Sequence, residues 1–192
     1  MSAQQATRTI IPLSTPPHDT WRFLKDDPQD AAAIDFDDSS WQHVSVPHDW
    51  AIYGPFDREN DIQHTLIEED GETKKSYHTG RTGGLPHVGV GWYRRAFTLP
   101  AGCEGRRVYV EFDGVMRNAE VYLNGERMGE WPYGYSSFCL DLSEFVRRDS
   151  RNVLAVRCDV NDDASRWYPG AGVYRNVRLI VTDRIHVAHW GT

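Results

Sequence analysis

Long hydrophobic runs are missing from this chain. No stretch of eighteen apolar residues occurs anywhere in its 192, so it offers no candidate for a membrane-crossing helix. Met1-Ser2-Ala3-Gln4-Gln5 lacks the basic-then-apolar pattern of an export signal, and a soluble, cytoplasmic protein is the expectation. Basic excess is missing too. A net charge of −7 argues against nucleic acid or an anionic membrane as the main partner. Cysteine is scarce: Cys103, Cys139 and Cys158 are odd in number and far apart, which excludes a disulfide framework and a CxxC metal or redox motif. His48, His64, His78 and His87 share no metal-ligand spacing such as HxxxH, so neither a metal nor a cofactor is expected. Gly83-Gly84 is no phosphate loop, because no Lys-Ser/Thr follows it.

What the chain does contain is strand pattern. The length suits one large β domain or two small ones, with a core that needs no staple. Val108, Val110 and Phe112 alternate with Tyr109, Glu111 and Asp113; Ala119, Val121 and Leu123 alternate with Glu120, Tyr122 and Asn124. Asn124-Gly125 then supplies a hairpin turn. Leu154, Val156, Cys158 and Val160 form a third set, with Cys158 read as a small buried hydrophobe. A fourth spans Val173–Val181, and Ile185 with Val187 makes a short last one. The one helical signal is a turn or two after Asp141, with Glu144 three residues on. Many half-buried strands and almost no helix predict an antiparallel β-sandwich. Two regions show no period, about Ile52–Val90 and Val160–Gly172, and are expected to be long loops. The acidic middle of the first, around Glu68-Glu69-Asp70, reads as solvated and mobile.

Function is concentrated in Ser165-Arg166-Trp167-Tyr168-Pro169-Gly170-Ala171-Gly172-Val173-Tyr174-Arg175. Two glycines and a proline fix the backbone path at a strand entrance. The stretch carries a cationic fork and aromatic faces, a combination suited to a polyhydroxylated ligand. Four further segments accompany it: Trp41–Trp50 with Pro47-His48-Asp49-Trp50, Gly54-Pro55-Phe56-Asp57, Gly89-Val90-Gly91-Trp92-Tyr93-Arg94-Arg95-Ala96-Phe97, and Val121-Tyr122-Leu123-Asn124-Gly125. In this order they resemble the N-terminal sugar-binding domain of glycoside hydrolase family 2, the family of β-galactosidases, β-glucuronidases and β-mannosidases. The resemblance covers Trp21 to Thr192, leaving 1–20 as an N-terminal extension and 21–192 as the domain.

The resemblance implies an all-β, antiparallel jelly-roll β-sandwich, galactose-binding-domain-like, with long loops at one end. It implies a supporting role in a retaining, exo-acting β-galactosidase, acting on a β-galactoside or related saccharide. The partners implied are an immunoglobulin-like domain and a catalytic barrel of the same longer chain, the second domain being due to begin after His189-Trp190-Gly191-Thr192. Retaining hydrolysis needs two carboxyl groups about 5–5.5 Å apart. Those here, Asp26-Asp27, Asp37-Asp38 and Asp162-Asp163, are sequence neighbours that point apart on extended backbone. No catalytic residue is therefore expected in this chain. The substrate-binding residues implied are Ser165, Arg166 and Trp167. Arg166 stands where well-studied family members carry aspartate, while another β-galactosidase-like branch carries the same Ser-Arg-Trp. An arginine donates hydrogen bonds but cannot accept them or bind a cation. No asparagine is carried over from the earlier loop, which reads Gly83-Gly84-Leu85-Pro86. Trp50, Trp92 and Tyr93 read as packing residues, and Asp49 and Arg175 as buried polar partners of loops. Alternatives are an autonomous carbohydrate-binding module, the same domain of a β-glucuronidase or β-mannosidase, and a purely structural interaction domain.

Overall fold

The alternating segments pair into antiparallel sheets in a computed structural model that describes residues 8–14, 20–54, 62–79, 89–160 and 170–191. Twelve strands occur there. They are β1 (Thr9–Pro12), β2 (Trp21–Leu24), β3 (Gln42–Val44), β4 (Ile62–Glu69), β5 (Glu72–Thr79), β6 (Gly89–Phe97), β7 (Arg107–Phe112), β8 (Ala119–Leu123), β9 (Glu126–Trp131), β10 (Phe138–Asp141), β11 (Asn152–Val160) and β12 (Val177–Thr182). A four-stranded sheet runs β1-β12-β7-β10 and a six-stranded sheet runs β3-β2-β6-β11-β8-β9. Every pairing is antiparallel, so this is the all-β sandwich that the pattern predicted, jelly-roll-like as the resemblance implied. Thr9–Pro12, within the stretch read as an extension, is an edge strand of the smaller sheet.

The inward residues are those the alternation selected. Val108, Val110 and Phe112 of β7 meet Val121, Leu123, Leu154, Val156 and Cys158 from the other sheet in one continuous core. Full burial of each such side chain contributes roughly 1.5–3 kcal/mol. Asn124 and Gly125 have φ of 55° and 94°, the doubly left-handed turn whose twist suits a two-residue hairpin between β8 and β9.

The outer face of the six-stranded sheet is not left to solvent. Trp92 and Ala155 point outward there and are covered by Ala31, Phe36 and Trp41 from the segment between β2 and β3. Arg94, fully buried, holds that cover down. Its Nε donates to Asp38 Oδ2 at 2.8 Å, and its other nitrogens to the carbonyls of Ala31, Ala33 and Phe36 at 2.5, 2.9 and 3.4 Å. Beside it Trp92 Nε1 donates to Asp27 Oδ1 at 2.7 Å, and Arg157 Nη2 to Asp27 Oδ2 at 2.7 Å. The paired acids Asp26-Asp27 and Asp37-Asp38 thus each supply a structural anion.

Three expectations need correction, and one is met in part. Ile52–Val90 is not one long loop: β4 and β5 form a hairpin inside it, turned by Asp70 and Gly71 at φ 55° and 78°. Its acidic residues are exposed at the hairpin tip, where Lys74 lies 3.9 Å from Glu69 and 4.0 Å from Glu72. The turn expected after Asp141 is present in its shortest form, a single one closed by Val146 N donating to Leu142 O at 2.9 Å. Asp141 Oδ1 caps it through Ser143 N, and Asn152 then bonds both Arg147 N and Arg147 O, which turns the chain into β11. β12 starts at Val177, because Val173 O accepts from His48 N at 2.8 Å rather than from a ladder partner. Ile185 and Val187 form no strand and are 91% and 74% exposed. Polar contacts hold their segment instead: His186 Nδ1 is 2.9 Å from Asp183 O, and His189 Nε2 is 2.6 Å from Glu111 Oε2.

Candidate functional site

β6 and β11 define one end of the sandwich. Their register places Gly89, the first residue of β6, beside Val160, the last of β11. The stretches 80–88 and 161–169 therefore join the sheet at neighbouring points. Ser165, Arg166 and Trp167 lie in 161–169, outside the described residues, as do Gly83–Pro86 and Asp162-Asp163. What the structure fixes is how that end of the domain is anchored.

The anchor is the strip Gly170–Tyr174. On one side, Gly172 N donates to Met116 O at 2.5 Å and Met116 N to Gly172 O at 2.9 Å, a one-residue bridge to the turn before β8. On the other side, Trp50 N donates to Ala171 O at 3.1 Å and His48 N to Val173 O at 2.8 Å. Asp49 joins both flanks. Its Oδ1 accepts from Ala51 N at 2.9 Å, capping the short 3-10 turn Trp50–Tyr53, and also from Ala171 N at 2.9 Å. This is the loop-stabilising role expected of Asp49. Arg175 does not share it: the side chain is exposed, 5.1 Å over the Tyr174 ring, with Nη1 3.5 Å from Asp113 O. Tyr174 takes the inward place and donates to Gly134 O at 2.9 Å.

Beneath the strip lies an aromatic floor. Trp50, 2% exposed, stacks on Phe23 with centroids 5.4 Å apart, and Tyr93 is fully buried beside both. Close approach explains two glycines. A Cβ on Gly91 would sit 2.6 Å from Trp50 Cζ3, and one on Gly172 would fall on the Tyr93 hydroxyl. Trp50, Trp92 and Tyr93 are thus all packing residues, as their positions suggested. Trp50 Nε1 is buried with no hydrogen-bond partner among the described residues.

One pair in the floor escaped the sequence reading. His48 Nδ1 and Tyr93 Oη lie 2.7 Å apart, and Phe23 packs edge-on against the imidazole at 4.8 Å. Burial pushes the His48 pKa down to about 4, and burial raises that of Tyr93, so both stay neutral near pH 7. A folded-state pKa below the unfolded value of about 6.5 means the unfolded chain binds the extra proton first. His48 therefore leaves stability intact above about pH 6.5 and subtracts from it as pH falls toward 4. His189 is also lowered, chiefly by burial, so it adds to the same slope. The melting temperature should fall between pH 6.5 and 4, and His48→Gln should flatten that fall without removing it. An unchanged slope in His48→Gln would contradict the burial argument.

This geometry defines a class: an antiparallel β-sandwich in which the strip Gly170–Tyr174 is seated on aromatic and glycine contacts at the end where β6 begins and β11 finishes. The chain matches the model of the glycosyl hydrolases family 2 sugar binding domain over residues 18–183, and it belongs to that family. It is 43% identical over 173 residues to the β-galactosidase BoGH2A of Bacteroides ovatus, a match covering 90% of this chain and 18% of that protein. It is 35% identical over 170 residues to a putative β-glucuronidase of Formosa agariphila, covering 88% of this chain and 15% of that one. Among solved structures, a glycosyl hydrolase family 2 member from Bacteroides cellulosilyticus superposes with a TM-score of 0.74 at 30% identity, over 90% of this chain and 21% of its own. The chain thus spans about a fifth or less of the length of these relatives.

Proposed function

We propose that this domain is one wall of the sugar pocket of a retaining, exo-acting β-galactosidase. The catalytic carboxylates would belong to a barrel elsewhere in a longer chain, with an immunoglobulin-like domain between. The observation that carries the reading is the seating of Gly170–Tyr174 against His48–Ala51 and Met116, which gives a rigid base to the stretch holding Ser165, Arg166 and Trp167. In this reading Arg166 donates hydrogen bonds to hydroxyls of the non-reducing sugar, and Trp167 offers an aromatic face to its C–H groups. Ser165 adds a hydroxyl that can donate or accept. In this reading the 192-residue chain alone hydrolyses no glycoside, because the catalytic glutamates would lie in the barrel; Asp27 and Asp38 are in any case held by Arg157 and Arg94.

Galactose is favoured by the higher identity to a relative named a β-galactosidase, 43% against 35% for the one named a putative β-glucuronidase. A panel of nitrophenyl glycosides tests this on the longer enzyme that contains the domain. The expected result is a kcat/KM for the β-galactoside at least tenfold above those for the β-glucuronide and β-mannoside. Preference for the glucuronide would move the assignment to the carboxylate-bearing sugar, which Arg166 could pair with directly.

A further inference from the structure

A cavity lined by arginines lies at the opposite end of β7 from the Met116–Gly172 bridge. It measures about 480 Å³, and Arg106, Arg107, Arg148 and Arg184 converge on it with Ser143 and Glu144. Arg107 opens β7 opposite Thr182, whereas the Met116–Gly172 bridge lies just beyond the other end of that strand. At about 3.3 Å per residue, the six residues of β7 separate the two ends by roughly 17–20 Å.

In a chain of net charge −7, four guanidinium groups drawn together from three separate segments need a counterpart. Two of them have one. Arg106 Nε is 3.2 Å from Asp183 Oδ1, and Arg107 Nη1 is 3.4 Å from Asp141 Oδ2. Arg148 is held by neutral acceptors: Nη1 donates to Cys103 O at 2.8 Å and Nη2 to Ser143 O at 3.1 Å. These bonds fix its position without cancelling its charge. Arg184 is exposed and makes no ion pair among the described residues. Arg148 and Arg184 therefore share the cavity with a single lining acid, Glu144.

We propose that this cavity binds an oxyanion, a sulfate, phosphate or carboxylate group. Arg148 is the preset donor, Arg184 is the exposed donor at the cavity mouth, and Arg107 supplies field from the rim. Planar guanidinium forks match such oxygens two at a time, and the partly enclosed site strengthens each bond relative to water. Two sources could present this chemistry, a free inorganic anion or an acidic group carried on a saccharide. The site is separate from the sugar pocket proposed above and does not depend on it.

The test uses the purified 192-residue chain, titrated with sodium sulfate and separately with glucuronic acid, against sodium chloride at matched ionic strength. A saturable rise in melting temperature with either oxyanion beyond the chloride control is expected. Saturation by sulfate but not glucuronate assigns an inorganic anion; saturation by glucuronate at lower concentration assigns a saccharide-borne group. Arg184→Gln combined with Arg107→Gln should weaken the response at least tenfold. Both side chains are at the surface, so the anion-free melt should stay close to that of the parent. The proposal is overturned if neither oxyanion exceeds chloride, or if the double variant binds as the parent does. If neither binds, the arginines face an acidic protein surface or solvent.

Discussion

Gly172→Ala is expected to destabilise this domain more than any other single-methyl addition at its loop end. Gly172 has φ of +102°, where a side chain is strained, and its backbone is bonded on both sides to Met116. An added Cβ would fall on the Tyr93 hydroxyl and 3.0 Å from Trp50 Cε3. Neither ring can retreat, since both are buried in the aromatic floor with Phe23. Backbone strain and overpacking each cost about 1–3 kcal/mol, so a combined loss of about 2–6 kcal/mol follows. In a domain of this size that lowers the melting temperature by roughly 4–24 °C. Gly102→Ala is the control: φ is +85° there too, but nothing lies within 4 Å of the added methyl. Equal melting temperatures for the two variants would show that Gly172 is not packed as described.

Arg94→Met should cost about 3–5 kcal/mol, the range seen when one partner of a buried ion pair is removed. The loss goes beyond one charge. Asp38 would be left without its cation, and the carbonyls of Ala31, Ala33 and Phe36 would lose their shared donor. The cover over Trp92 and Ala155 should then loosen, visible as faster amide exchange across residues 31–41 ahead of the rest of the domain. Arg107→Met removes an exposed pair at 3.4 Å and should cost no more than about 1 kcal/mol. Comparable losses in the two variants would refute the role given to Arg94.

The contrast between these arginines shows what the sequence could and could not reveal. β7, β8 and β11 were legible because one face of each is apolar and the period is two. The Asn124-Gly125 turn was legible because few other residue pairs tolerate two left-handed positions in a row. Arg94 was not, because its partners are backbone carbonyls 58 to 63 residues away whose placement exists only after folding. The β4–β5 hairpin did carry a local signal in Asp70-Gly71, but its mostly polar strands gave no apolar face to read. Ile185 and Val187 misled in the opposite direction: alternation without a neighbouring strand does not make a strand. Of the motif residues, Asp49, Trp50 and Gly172 converge at the Gly170–Tyr174 strip, whereas Asn124-Gly125 turns the chain beside Leu154, at the opposite end of β11 from Val160. The His48–Tyr93 contact joins residues 45 apart that no spacing rule connects.

The central claim is that a rigid seat carries Arg166 to a sugar, so its removal should impair catalysis and spare the fold. The measurement is kcat/KM and melting temperature together for Arg166→Ala in the longer enzyme. A lost charge-assisted hydrogen bond of about 1.5–3 kcal/mol in the transition state corresponds to roughly a 10- to 150-fold drop in kcat/KM. The account predicts that drop with a melting temperature within about 1 °C of the parent. A destabilised variant whose folded fraction turns over normally would make Arg166 a structural residue and contradict the claim.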